Sequence, residues 1–381
     1  MLPSFYHSIL EKYLTPAQLL TLQMLVWLLQ TQKEVRIERL AATLQLPILL
    51  RSRRRHIQRF LQIKALSILI VWFPIVKEVI ARLFKTGSQL VIALDRTQWK
   101  EYNVLMVSAI VQKRAFPIFW TLLDKHGASN LVEQQQVLRP AIRLLKRYKL
   151  VIIGSREFHS IEQAQWLHHQ HLSFVLRQKS STTFREKRQA FQSLSSIPVQ
   201  PGIHLFYPKV GFTHKKGFSR FNLVVSWKRK YGGKQEDEPW YLLTNLPDLK
   251  SAIRVYGQRY GLEAMFKDCK TGGYNLEGCQ ASSEKLISLI ILIALAMTSA
   301  WLKGKRTQLQ RQEKYILCRP QEKCRNRRRH SNFWIGLYGE NWLIANDCCW
   351  EWIASMMSLV RNKLSFYRRG LRARKLREQP L

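Results

Sequence analysis

The chain changes hydrophobic period several times, and those changes divide it. Up to about residue 85 the apolar positions recur at helical spacing. Within that stretch Arg36 to Leu44 reads as a short amphipathic helix, Gln45-Leu46-Pro47 breaks it, and Ile48 to Leu61 resumes a helical period. From 89 the period becomes that of strands. Leu90 to Leu94 is a continuous apolar run, the mark of a strand buried on both faces, and it is predicted to end at Asp95. Tyr102 to Val111 and Phe116 to Leu123 follow as two strands around Gln112-Lys113-Arg114-Ala115, a spacing that suits a hairpin. A helix is predicted from Leu131 to Leu145. Leu150 to Gly154 then repeats the buried-strand pattern and ends at Ser155. A helix around Ile161–His169 and a strand at Ser173–Arg177 close the set.

Residues 178–247 are polar and turn-rich. Phe221–Arg229 and Trp240–Leu246 read as a hairpin joined through Gly232-Gly233. A helix over Tyr256–Lys270 and an apolar helix over Leu286–Leu302 come next, ahead of a basic C-terminal part. The order β-β-β-α-β-α-β, a β-rich insertion, then α describes an α/β fold with a ribonuclease-H-like core, a mixed five-stranded sheet flanked by helices. It sets the ends of the first and fourth strands side by side, next to the closing helix. The expected divisions are a helical domain over 1–85, core over 86–178, the insertion over 179–247, closing helices over 248–303 and a basic region over 304–381.

Charge narrows the function. The 381 residues carry 62 Lys+Arg against 25 Asp+Glu, a net charge of +37. The excess is concentrated at the ends: residues 1–88 hold 13 cations and 4 acids, and residues 303–381 hold 19 and 6. Such a balance favours a polyanionic partner, nucleic acid before an anionic membrane. Helix, tight turn and basic second helix near residue 50 is the layout of a helix-turn-helix reader, with Arg51, Arg53, Arg54, Arg55 and Arg59 facing DNA. The alternative is an ordinary helical hairpin with a solvated basic face. Leu286–Leu302 is 17 residues without a charge, the lower limit for a membrane span; a helix buried all round in an α/β core is the preferred reading. Six cysteines without a signal peptide point to a reducing cytoplasm. Cys318, Cys324 and the Cys348-Cys349 pair lack zinc-site spacing, and His168, His169 and His171 read as solvent-facing.

The densest chemistry lies in Tyr256, Arg259, Glu263 and Lys270, which follow Y-x2-R-x3-E-x6-K. On a helix these four fall within an arc of roughly 60°. Together with LDRTQW around Asp95, S-R-E-F from Ser155, WYLLT at 240–244 and RRHSNFWIGLYG after Arg327, the chain resembles DDE transposases of bacterial insertion sequences, in insertion sequence family four. The resemblance implies an enzyme that binds terminal inverted repeats as a homodimer on double-stranded DNA. It would cut and rejoin strands through two Mg²⁺ or Mn²⁺ ions, by way of a DNA hairpin. It casts Asp95 as the first metal-binding carboxylate and Glu263 as the last. Tyr256, Arg259 and Lys270 would hold phosphates of the transposon end, and Trp240 would stack on a flipped base.

One position departs from that pattern. The family's second carboxylate opens a D-R-E-F segment, and here the segment opens with Ser155. A hydroxyl is neutral and a poor ligand for hard dications. Glu157 could replace the lost acid only if the strand continued past Gly154, and the other candidate, Asp124, ends the third strand, predicted to lie two positions from the first. The expectation is a transposase scaffold with an impaired site; the alternative is an inactive end-binding protein from a decayed element.

Overall fold

The computed structural model describes residues 2–99, 101–112, 114–187, 189–213, 219–229, 238–270, 273–318, 321–322 and 325–379. By contacts the chain forms two compact units, Val76–Lys267 and Met1–Ile75 with Asp268–Leu381.

The second of these is helical. Its N-terminal part comprises α1 (Ser4–Leu10), α2 (Pro16–Gln32), α3 (Ile37–Thr43) and α4 (Leu50–Phe60), with α5 (Phe73–Leu83) crossing the division. Thr15 caps α2 with a capping box, its hydroxyl accepting from Gln18 N–H while the Gln18 side chain accepts from Thr15 N–H. Between α3 and α4 the turn is tight. The Arg53 guanidinium donates to the Leu44 carbonyl at 3.1 Å, Arg54 pairs with Glu38 at 2.9 Å, and Ile57 and Phe60 anchor the buried face of α4.

The α/β unit begins with β1 (Gln89–Trp99), β2 (Tyr102–Val111) and β3 (Arg114–Leu122), then α6 (Leu131–Leu144), β4 (Lys149–Gly154), α7 (Ile161–His169) and β5 (Ser173–Arg177). The expected order of elements is present, and β1, β4 and β5 run parallel. Two boundaries differ. β1 does not stop at Asp95: it continues to Trp99 because β2 pairs with it along that whole length, Asp95 opposite Met106. The β2–β3 turn is also tighter, since β3 already pairs at Arg114 and Gln112 takes a left-handed φ of 47°.

The sheet is larger than five strands. The insertion contributes β6 (Thr183–Arg185), β7 (Gln192–Ser193), β8 (His204–Phe212), β9 (Ser219–Ser226) and β10 (Trp240–Thr244). β10 pairs antiparallel with β5, so the ten strands run β3-β2-β1-β4-β5-β10-β9-β8-β6-β7. β9 and β10 do pair antiparallel, while the Gly232-Gly233 turn lies outside the described residues. The reason for the merger is burial. Trp240, Tyr241, Leu242 and Leu243 are apolar in an unbroken row, and only a strand paired on both sides buries such a row on both faces.

The unit closes with α8 (Leu249–Tyr256), capped by Asp248, and with α9 (Tyr260–Cys269), whose last two residues cross the division. The predicted single helix over 256–270 is therefore interrupted: Gly257–Arg259 forms a 3-10 turn, and Lys270 lies beyond the end of α9.

The rest of the helical unit is α10 (Ser283–Leu309), α11 (Asn332–Cys348), α12 (Trp350–Leu359) and α13 (Leu364–Glu378). α10 is long and apolar enough to cross a membrane, yet it is mostly buried by protein. Several polar contacts along it are with protein, although the buried Ser299 hydroxyl has no partner among the described residues. Thr298 hydroxyl meets Tyr6 hydroxyl at 2.6 Å, Ser288 donates to the Leu61 carbonyl at 2.7 Å, and Gln30 donates to the Ala296 carbonyl at 3.0 Å. Within this unit α10 packs on α2 and α11, so it is the core of a helical unit, where the sequence pattern predicted an α/β core. Gly304 and Gly336 let α10 and α11 touch backbone to backbone: a Cβ on Gly336 would strike the Ala300 carbonyl, and one on Gly304 the Asn332 carbonyl.

Candidate active site

The parallel pairing of β1 with β4 ends at Leu94 opposite Gly154. Asp95 and Ser155 are therefore the next residues on two neighbouring strands, one held in β1 by β2, the other where the chain leaves the sheet. Gly154 makes that exit possible, because a Cβ there would sit 2.8 Å from the Phe158 Cβ. Arg156–Phe158 then turns as a short 3-10 helix and buries Phe158.

Asp95 is 9% exposed. One carboxylate oxygen accepts from Arg96 N–H at 3.0 Å and the other from the Arg259 guanidinium at 2.9 Å. Burial raises its carboxyl above the usual aspartate range, opposed by the Arg259 charge and the Arg96 hydrogen bond, with Glu157 adding a little to the rise. Arg259 also donates to Glu263 at 2.9 Å, so one guanidinium clasps both acids. Its Nε, itself buried, has no acceptor among the described residues. Burial works against the Arg259 charge, and the attraction of Asp95, Tyr256 and Glu263 outweighs it.

The two acids named as possible substitutes, Glu157 and Asp124, are placed differently. Glu157 follows the turn away from β4. Its carboxylate accepts from the Arg96 Nε at 2.8 Å and from the Ser129 N–H and hydroxyl at 2.9 and 2.8 Å. Arg96 in turn donates to Asn103, which ties down the carbonyls of Lys125 and Gly127. Asp124 is exposed, two residues past β3. Ser155 itself makes no side-chain cap hydrogen bond.

Beside the clasp lies a cavity of about 670 Å³, walled by Arg156, Arg177, Lys228, Glu238, Trp240, Tyr256, Gly257, Arg259, Tyr260 and Glu263. Glu238 bridges Arg156 and Arg177, the latter at 2.9 Å. Trp240 is 8% exposed; its ring meets Tyr256 edge-on at 4.9 Å, and the Lys228 ammonium sits 3.7 Å over the indole. Burial pushes the Tyr256 hydroxyl above its ordinary value, against the pull of Arg259 and Arg177.

Asp95, Ser155, Tyr256, Arg259, Glu263 and Trp240 thus share one unit and one neighbourhood. Lys270 belongs to the helical unit, where it pairs with Glu277 at 3.3 Å. So does α4, on which Arg51, Arg54 and Arg55 are exposed and Arg53 is turned to the Leu44 carbonyl. Sequence reasoning missed Arg177, Glu238, Lys228 and the Arg96–Glu157–Ser129 network. Arg177 carried a usable signal: it ends a buried strand next to β4, as Asp95 and Ser155 follow theirs. No group of three or more His, Cys, Asp or Glu among the described residues is arranged to hold a metal ion.

A family model described as the transposase DDE domain matches residues 88–299, more than half of the chain. No curated protein matches it. Among solved structures, the cryo-EM structure of the piggyBac transposase synaptic complex with hairpin DNA is similar at a TM-score of 0.40 and 15% sequence identity. That match covers 74% of this chain and spans 66% of the piggyBac chain.

Proposed function

We propose, from the premise that the chain belongs to the transposase DDE domain family, that it is a DNA-end-binding transposase whose strand-cutting site is impaired. DDE transposases are polynucleotidyl transferases, and their domains use divalent metal ions. Among the described residues, the donors at this site do not make a two-cation site. Asp95 and Glu263 are both engaged by Arg259, the Glu157 carboxylate is taken by Arg96 and Ser129, and Ser155 offers only a neutral hydroxyl. Hard dications favour carboxylate oxygens, and two-metal phosphoryl transfer needs an acid shared between the ions.

The observation that carries this reading is the placing of Asp95 and Ser155 side by side, each one residue past Leu94–Gly154, the last parallel pair of β1 and β4. The strand order β3-β2-β1-β4-β5 supports a ribonuclease-H-like core around it. The groups suited to gripping DNA are kept. Arg156, Arg177 and Arg259 line the cavity with Tyr256 and Trp240, a set that fits phosphates and one unstacked base. For Trp240 to receive a base, the Lys228 ammonium must leave the indole face and follow the phosphate. The basic face of α4 supports a second, backbone-directed contact with duplex. Terminal inverted repeats are the ligand this assigns, with two copies of the chain needed to hold two ends.

The test is restoration. Ser155→Asp and the native chain are compared for Mg²⁺-dependent nicking of DNA bearing the element's ends. The variant is expected to nick and the native chain to bind without nicking. Equal nicking by both would remove the impairment from the proposal.

A further inference from the structure

We propose that the small cavity at Ser155 is an oxyanion site, so that exchanging an acid for serine has replaced a place for a divalent cation by one for a tetrahedral phosphate group. The inference rests on the reading of Ser155 as a lost acid position. The cavity measures about 240 Å³ and is walled by Ser155, Arg156, Glu157, Arg177, Tyr256 and Arg259. Glu157 is the one carboxylate on that wall, and Arg96 and Ser129 already satisfy it. What remains is three guanidinium groups and two hydroxyls, all hydrogen-bond donors.

The arginines have donors to give. Each guanidinium carries five N–H groups. Arg156 and Arg177 converge on a single oxygen of Glu238, and Arg259 places one N–H on Asp95 and one on Glu263 while its Nε has no acceptor among the described residues. Planar forks of this kind match the oxygen spacing of phosphate and carry the charge that favours it. A dication at the same wall meets three positive charges and no free carboxylate. Aspartate at 155 would reverse the preference, attracting the arginines itself and repelling an oxyanion.

The experiment measures binding of inorganic phosphate and, separately, of Mn²⁺ by calorimetry, on the full chain in chloride buffer. The native chain is expected to bind phosphate, with affinity reduced about tenfold or more in Ser155→Asp, the scale of one opposed charge. Mn²⁺ binding should appear only in the variant. Arg156→Ala, at a half-exposed side chain, should weaken phosphate without refolding the site, which guards against a Ser155→Asp chain that fails to fold. Phosphate binding untouched by both variants would place the anion elsewhere on this basic chain and overturn the inference. Stoichiometric Mn²⁺ binding by the native chain, lost in Glu263→Gln, would overturn it too. A short duplex that displaces phosphate identifies the ligand as a DNA phosphodiester; phosphate retained beside the duplex identifies it as the free ion. Nicking by the native chain in Mg²⁺ would strike at the impaired-site reading and would leave the phosphate result to be judged by itself.

Discussion

Arg259 decides the electrostatics of the site. It is the counter-ion of Asp95 and Glu263 together, at 2.9 Å from each. Asp95 is held above the ordinary aspartate value of 3.8 by burial, and Arg259 is the largest influence opposing that rise. The native state therefore keeps this proton to higher pH than the unfolded chain does. Its contribution to stability is favourable below 3.8 and is lost as pH climbs through the raised native value. Replacing Arg259 with Met should move the Asp95 midpoint further up, which a carboxyl carbon NMR titration reads directly. A midpoint unchanged or lowered would show that Arg259 is not its counter-ion. The clasp was only half visible in the sequence. The spacing of Arg259 and Glu263 announces an i,i+4 pair, but nothing local announces that the same guanidinium crosses to a strand 164 residues earlier.

At the scale of elements, the strands were legible because a buried strand writes its burial as an apolar run. The run stops where the charge begins, however, and β1 does not. Pairing with β2 carries it through Asp95 to Trp99, a tertiary effect that overrides the local pattern. The signature helix erred the other way. Its period is continuous in sequence, while the backbone tightens into a 3-10 turn at Gly257–Arg259. The apolar run of α10 was ambiguous for a different reason, since its composition suits lipid and core alike. Its hydrogen bonds to Tyr6, Gln30 and Leu61 resolve it in favour of protein. The glycine contacts with α11 give a sharp check. Gly336→Val should destabilise the helical unit by about 3 kcal/mol, the upper end of overpacking costs, because the obstacle is a backbone carbonyl and not a side chain that can turn. Urea unfolding followed by circular dichroism measures it, and a loss below roughly 0.5 kcal/mol would mean the helices separate at little cost.

For the whole molecule, the net charge of +37 sets the terms of association. Binding to duplex should weaken steeply with salt, and each phosphate contact removed should flatten the log–log slope by about 0.9. Arg51 and Arg55 are exposed on α4, and Arg53 is turned to the Leu44 carbonyl. Arg51→Ala and Arg55→Ala are accordingly expected to reduce the slope by about one unit each, and Arg53→Ala to act on stability instead. Equal slopes in all variants would remove α4 from the DNA interface. The merged ten-stranded sheet has its own consequence for how such a chain can be shortened. β10 covers the side of β5 that β4 leaves open. A derivative that lost the segment between them would expose a fully apolar strand with unpaired amides, an invitation to edge-to-edge aggregation. Deletions are therefore tolerable at the rim of this sheet, and ruinous in its middle.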